Sequence, residues 1–502
     1  MYSKTYTFFV NPSLITVECQ VSRGLPSFNI IGLPSKSIQE SKDRIKSALS
    51  FIGIDLPPKK ITINLNPVDI SKQGNHFDLP MAVSLLKALN LIKIKDNIIF
   101  AGELSLNAQI LPVRSVINYL MEINGSEYEL VLPSGNKQEV SVLKNYINFN
   151  VKFISHLSEL FDFDKIKVLC DFDIFYEGES KDVNELIDLF ESVRGQEFAK
   201  YALLVSSVGR HNVLMVGPPG TGKSILAKSS LCLYPKPSEE EFIEIARIYN
   251  LAGYEYDYWI KFKNVRPFRN PHHTSSYASI VGGAKDAKVG EITLAHKGIL
   301  FLDEFPEFHR NVLEALREPL ENKRITISRA EIKVEYPADF VLISAMNPCP
   351  CGYYQTNVKE CTCTSFQISK YWSKISGPLL DRIDIFIEVS NVDFQQVISS
   401  RKSVINYYKE LFLNAINTKE QRKQEKANSE LSIEEINQYC LTLLTNEAKE
   451  IVEKIYNQQR LSIRKFHKIL KVARTIADIK QSINIDKESL LNAYKLTINR
   501  YV

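Results

Sequence analysis

A parallel α/β core, preceded by a strand-rich α/β domain and followed by a helical domain, is the architecture this sequence predicts. Three observations predict it. The apolar run Asn212-Val-Leu-Met-Val216 leads into Gly217-Pro218-Pro219-Gly220-Thr221-Gly222-Lys223-Ser224 and then into the helical stretch Ile225-Leu-Ala-Lys228. Two further apolar runs, 298–302 and 340–346, each end in polar residues, as the buried strands of a parallel sheet do where ligands bind. From 393 to 502 the β-branched alternation disappears and the chain becomes rich in Glu, Lys, Gln and Leu, which predicts helices.

At 502 residues the chain is long enough for about three domains. Residues 1–170 hold strand-like runs at 61–65, 98–100 and 128–132, with helical patterns at 37–51 and 79–89. The acidic and aromatic stretch 171–184 reads as a linker, 185–392 as the parallel core and 393–502 as the helical domain. No apolar run approaches the ~20 residues needed to cross a bilayer, and Met1–Val10 lacks the long apolar centre of a secretory signal. Both absences predict a cytoplasmic protein with no membrane partner. A net charge of +4 is mild, so nucleic-acid binding would have to come from local basic patches.

The strand–glycine loop–helix order around Gly217–Ser224 is the context a phosphate-binding loop requires. Its glycines let backbone N–H groups close around phosphates; Lys223 would reach the β- and γ-phosphates of ATP, and the Ser224 hydroxyl would ligate Mg²⁺. The run Gly298-Ile-Leu-Phe-Leu-Asp-Glu304 places Asp303 at a strand end to hold Mg²⁺ through water or Ser224, with Glu304 as general base for the attacking water. Asn347, at the end of 340–347, falls where an amide would orient that water and sense the γ-phosphate. Arg382, before another apolar run, is a candidate to neutralise transition-state charge across a subunit boundary; the alternative is a local ion pair with Asp381 or Asp384. Arg464, near the first turn of an amphipathic helix over 463–478, is a candidate for nucleotide held between domains, and Arg474 a weaker one.

Two further features concern nucleic acid and metal. In 323–336, Ile325 and Ile327, then Ile332 and Val334, alternate with polar residues, predicting a β-hairpin with Arg329 and Ala330 at its tip. Arg329 and Lys333 are candidate DNA-phosphate contacts, as are Arg266 and Arg269, with His272 and His273 in the same loop. Cys349-Pro-Cys351 and Cys361-Thr-Cys363 bring four thiols into a pattern that fits a structural Zn²⁺ site, although the usual ribbon spacing is C-x₂-C.

The blocks Arg266-Pro-Phe-Arg-Asn-Pro-His-His-Thr-Ser-Ser276, Val281-Gly-Gly283, 290–307 and Val472-Ala-Arg-Thr-Ile-Ala-Asp478 resemble the magnesium-chelatase-like AAA+ ATPases of the YifB/ComM type, over nearly the whole chain. The resemblance implies a P-loop AAA+ parallel-sheet core with a C-terminal helical lid. It also implies Asp303 and Glu304 as the Walker B pair, Asn347 as sensor 1, Arg382 as arginine finger and Arg464 as sensor 2. It implies a homo-oligomeric, hexameric ring that drives DNA branch migration during natural transformation. Residues 72–82 and 102–113 are similar to a Lon-protease-type α/β domain, but His76 and Ile117 stand where its serine nucleophile and lysine base would be, which implies no peptidase activity. The alternatives are a chaperone-like remodelling ATPase akin to the magnesium chelatase motor subunit, and a nucleotide-gated scaffold, which the intact Glu304 disfavours.

Overall fold

The computed structural model describes residues 1–8, 14–68, 72, 74–123, 127–143, 145–146, 150–166, 181–283, 288–328, 333–357, 359–392 and 404–499. The chain forms two compact units, one of Met1–Tyr176 with Tyr249–Ile260, the other of Glu177–Ile248 with Lys261–Val502.

The first unit is built on a seven-stranded mixed sheet. Its order is Ser27–Ile31, Lys60–Asn66, Leu14–Ser22, Tyr2–Phe8, Ile98–Phe100, Glu129–Pro133, Val151–Ile154. Leu14–Ser22 pairs antiparallel with both neighbours, while the last four strands run parallel. Helix Lys36–Phe51 buries Ile38, Ser41, Ile45, Ala48 and Leu49, the three-and-four spacing of a helix with one face inward. Helix Asp78–Ala88 is buried almost all round, which its unbroken Leu-Pro-Met-Ala-Val-Ser-Leu-Leu run requires.

Glu139 in this unit has a testable consequence. Its carboxylate accepts from Asn136 Nδ2 at 2.9 Å and Asn250 Nδ2 at 3.0 Å, and burial pushes its pKa up to about 7 from the ordinary 4.5. Asn136 is fixed by Val113, whose N–H and carbonyl it binds, whereas Asn250 Oδ1 is buried with no partner among the described residues. A neutral group at 139 would donate to that oxygen once the Asn250 amide turned over. Between about pH 4.5 and 7 the unfolded chain has lost this proton and the folded unit keeps it, so stability falls as pH rises through that window. Glu139→Gln is expected to remove a loss on the order of 3 kcal/mol above neutral pH. Urea unfolding at about pH 5 and about pH 8 checks it: the variant's transition should move much less than the parent's, and equal movement would refute the assignment.

The second unit holds the predicted parallel sheet, ordered Phe268–Arg269, Ile299–Leu302, Val341–Met346, Val213–Val216, Ile385–Glu388, with every neighbouring pair parallel. The three central strands are buried throughout because both sheet faces are covered. Alternation divides them between two cores. Val213, Met215, Ile299, Phe301, Ile343 and Ala345 face helices that include Glu197–Gly209 and the C-terminal Ile463–Ile479. Leu214, Val216, Leu300, Leu302, Leu342 and Met346 face Phe305, Phe308, Ile325, Tyr371 and Trp372. Fully burying one such Leu, Ile or Phe contributes about 1.5–3 kcal/mol.

The expected helical region is present, with helices Ile405–Gln421, Asn446–Gln459, Ile463–Ile479 and Lys487–Thr497, and it packs into the sheet's core as part of the same unit. The stretch expected as a linker ends sooner than position 184, since helix Lys181–Ser192 already occupies its last residues; 171–180 lie outside the described residues. The expected hairpin is formed by Arg324–Ser328 and Lys333–Pro337, antiparallel with Ile325 opposite Tyr336 and Ile327 opposite Val334. Its tip, Arg329 with Ala330, and Ile332 lie outside the described residues.

Candidate active site

Three of the central strands end at one edge of the sheet, and each delivers a polar group there. After Val216 the chain turns at Gly217, where an added Cβ would sit 2.1 Å from the Val389 carbonyl oxygen, so only glycine allows the approach. Gly220 and Gly222 adopt φ of +79° and +81°, the left-handed region that glycine enters without strain, and Gly222 opens helix Lys223–Ser229. Pro218 O accepts the Thr221 hydroxyl at 2.9 Å, which closes the loop on itself. Lys223 Nζ donates to Gly217 O and Pro218 O, both at 2.8 Å, and reaches Asn347 Oδ1 at 3.4 Å. Burial lowers the Lys223 pKa, and the Asp303 charge pulls the other way.

Ser224 Oγ donates to Asp303 Oδ2 at 2.5 Å, and Asp303 Oδ1 accepts the Glu304 N–H at 2.9 Å. A hydroxyl and a carboxylate brought side by side beneath a phosphate loop are hard oxygen donors of the kind Mg²⁺ prefers, so this pair fits that ion. Glu304 has φ of +50°, uncommon for a residue with a side chain, and its carboxylate projects from the strand end largely exposed. His273 Nδ1 lies 2.8 Å from Glu304 Oε2, with the His272 ring 4.3 Å away and the Phe308 ring at its edge. A cavity of about 420 Å³, lined by Lys223, Asp303, Glu304, Asn347, Lys370 and Lys374 among others, lies over this edge. Its size is that of a small-molecule site.

His273 is the site residue that the sequence reading placed elsewhere, in a DNA-facing loop. The signal for it exists but is faint. His273 follows the two-residue strand Phe268–Arg269, which runs parallel to Ile299–Leu302, so whatever comes just after it arrives beside Asp303 and Glu304.

The profile described as magnesium chelatase, subunit ChlI matches residues 189–397, which carry the whole of this edge. Profiles for the ChlI subunit and for its C-terminal region match 17–136 and 407–497. Competence protein ComM of Haemophilus influenzae is 37% identical over 498 residues, covering 96% of this chain and 94% of its own length. The uncharacterized protein YifB of Salmonella typhimurium is 38% identical with the same coverage. The chain belongs to the ComM/YifB family of magnesium-chelatase-like proteins. A weaker likeness, 24% identity over 51% of this chain, links it to the probable DNA helicase MCM9 of Oryza sativa subsp. indica.

The AAA+ fold of the ComM/YifB family accounts for the sheet and its helical C-terminal region. Arg382 is not among the residues that line this chain's own cavity. Its guanidinium pairs with Glu321, not with Asp381 or Asp384, and donates to Pro378 O at 2.8 Å, while Nε is buried with no partner among the described residues. Arg464 is exposed on the first turn of helix Ile463–Ile479, which Ser462 caps through the Lys465 N–H at 3.3 Å. Arg474 is wholly buried, bonded to Asp478 and to the carbonyls of Ser482 and Ile483, so its part is structural.

The basic loop of this ComM/YifB-type chain is also engaged internally. Arg266 donates to Pro235 O, Lys297 O and Glu241, and Arg269 grips Glu291 through two bonds of 2.6 and 2.7 Å. Those guanidinium groups hold neighbouring elements together. Lys333 begins the second hairpin strand. In the N-terminal unit His76 and Ile117, the residues at the positions expected for a Lon-type serine and lysine, are both buried, with His76 beside Tyr119.

The four thiols predicted as a cluster do converge. Cys349 Sγ lies 3.3 Å from Cys351 Sγ and 3.7 Å from Cys361 Sγ, Cys351 and Cys361 are 3.6 Å apart, and all four sulfurs lie within 4.8 Å of one another. Among the described residues no helix is long and apolar enough to cross a membrane.

Proposed function

We propose that this protein is a cytoplasmic, ring-forming ATPase that couples ATP hydrolysis to movement on DNA. The observation that supports hydrolysis most is the 2.5 Å contact of Ser224 with Asp303, one residue before a carboxylate that projects into the same cavity. In this reading Gly217–Ser224 cradles the triphosphate and Lys223 leaves its loop carbonyls for the β- and γ-phosphates. Ser224 and Asp303 hold Mg²⁺, which offsets charge on those phosphates when bound. Glu304 takes the proton of the attacking water, and His273 holds the Glu304 carboxylate until the nucleotide is seated. Asn347 orients the water, Arg382 reaches a neighbouring subunit's γ-phosphate, and Arg464 touches nucleotide from the helical region. A hexameric ring, branch migration and a role in competence are the specific form we infer. The names of two relatives, a competence protein and a probable DNA helicase, support it.

The DNA contacts we propose are narrower than the basic residues of the sequence suggest. Arg329 at the hairpin tip and Lys333 remain, while Arg266 and Arg269 are left out because their partners are internal. The N-terminal unit is read as a Lon-type domain without peptidase activity. The four thiolates are read as a Zn²⁺ site that leaves no open position for catalysis.

ATPase rates with single-stranded, duplex and four-way-junction DNA test the motor reading. We expect DNA to stimulate turnover, and Arg329→Ala to reduce the stimulation and flatten its salt dependence by roughly one phosphate contact, a slope change of about 0.7–0.9. Rates indifferent to all three DNAs would refute the motor and favour the protein-remodelling ATPase.

A further inference from the structure

The four cysteines adjoin, along the chain, two segments that line the cavity read as the ATP site. Cys349 comes two residues after Asn347, and Pro350 between the first two thiols lines the cavity. Gly352, at φ of +88°, passes so close to the phosphate loop that an added Cβ would lie 2.9 Å from Pro219 Cδ and 3.9 Å from Asn347 Cγ. At the other end, Cys363 directly precedes Thr364. That residue caps helix Ser365–Trp372 through a reciprocal pair of bonds with Gln367. This helix supplies Gln367, Lys370 and Tyr371 to the lining of the same cavity, and its Trp372 Nε1 donates to Pro348 O at 3.0 Å. One cysteine pair therefore adjoins the lining segment bearing Asn347, the other the segment bearing Lys370.

The sulfur geometry fits one bound ion. Tetrahedral Zn²⁺ with bonds of about 2.3 Å sets its sulfurs about 3.8 Å apart. The separations of 3.3, 3.6 and 3.7 Å lie close to that edge, and far above the ~2.05 Å of a disulfide. Backbone N–H groups of Cys351 and Tyr354 point at Cys363 Sγ and Cys349 Sγ, at 3.4 and 3.3 Å, as donors do around metal-bound thiolates.

We propose that one Zn²⁺ on Cys349, Cys351, Cys361 and Cys363 clamps these two lining segments of the cavity together, and so sets how well the site distinguishes ATP from ADP. This rests on the reading of the cavity as an ATP site. The cation fixes the segment leaving Asn347 against the phosphate loop, and Asn347 Oδ1 lies 3.4 Å from Lys223 Nζ, where a terminal phosphate would be sensed. Beside it, the Asn347 segment and the Lys370 helix are joined by the Trp372 bond to Pro348 O and by Tyr371, which hydrogen-bonds the Asn347 backbone. The four cysteines are positioning residues for the nucleotide.

The test uses the full chain, purified without chelator or added metal. Metal analysis is expected to give one zinc per chain, and Co²⁺ exchanged in its place should give the absorption of a tetrahedral thiolate site. Zinc is then withdrawn with an organomercurial and returned, and the affinities for Mg–ATP and Mg–ADP are followed by fluorescent-nucleotide displacement. Cys361→Ser is measured in parallel, with circular dichroism to confirm that it folds. We expect withdrawal to weaken ATP about tenfold, the loss expected for one hydrogen bond to a charged group, with ADP little changed and both restored by zinc. Substoichiometric zinc in the fresh protein overturns the metal site. Stoichiometric zinc whose removal weakens ATP and ADP equally, or neither, overturns the clamp. Protein that binds zinc but no nucleotide in any form refutes the ATP-site reading beneath it.

Discussion

Replacing Glu304 with glutamine is expected to lower kcat for ATP hydrolysis by roughly 10²–10⁴-fold, the span that positioned general bases supply, while ATP affinity stays within about twofold. Glutamine keeps the size of the side chain, the unusual backbone angle and a hydrogen bond to His273, so the substitution isolates the loss of the proton acceptor. Affinity should survive because the contacts that seat phosphate and Mg²⁺ run through Lys223, Ser224 and Asp303, none of which uses the Glu304 side chain. Single-turnover assays with labelled ATP separate the two quantities. A variant that binds and hydrolyses like the parent would remove Glu304 from the chemistry and leave Asp303 as the nearest carboxylate.

Arg382→Ala is expected to reduce turnover by roughly 10³-fold, the lower bound for a charge-neutralising arginine supplied across a boundary. Its present partner makes the experiment discriminating, since Arg382 pairs with Glu321 in its own chain. If that pairing were its whole purpose, Glu321→Ala would do the same damage as Arg382→Ala. If Arg382 serves a neighbour, Glu321→Ala leaves activity largely intact, because it only releases the guanidinium. Mixing decides between them. Subunits carrying Arg382→Ala retain a sound phosphate loop, and subunits carrying Lys223→Ala retain a sound arginine, so mixed assemblies should recover activity that neither variant has alone. Failure to recover any would place Arg382 outside the catalytic cycle.

What the residues disclosed unaided follows from how local each feature is. The phosphate loop was legible because its glycines, lysine and serine act within eight consecutive positions, between a strand and a helix whose patterns are also local. The central strands were legible as unbroken apolar runs, since burial on both faces leaves no polar alternation to blur them. The cysteine cluster was legible because few other uses explain four thiols at that spacing. Partner choice was not legible. Arg266 and Arg269 looked like DNA contacts because a guanidinium carries the same charge whether it meets phosphate or carboxylate, and only folding brings Glu241 and Glu291 to them. His273 was misplaced because the strand ahead of it is two residues long, too short to leave a period. The packing of the C-terminal helices into the sheet's core was hidden for the same reason: their composition announces helix without naming the surface they cover.

Residues Tyr249–Ile260 group with the N-terminal unit although both their flanks belong to the other. They bring Asn250, which receives the Ser115 hydroxyl on its carbonyl and donates its amide to Glu139, and the buried Trp259. The polypeptide therefore passes between the two bodies three times, near 176, 248 and 260. A single backbone cut anywhere along it leaves them still joined, and a gene fragment ending after the first body would encode a body missing a piece of itself. The two have been stitched, not strung, and must be inherited together.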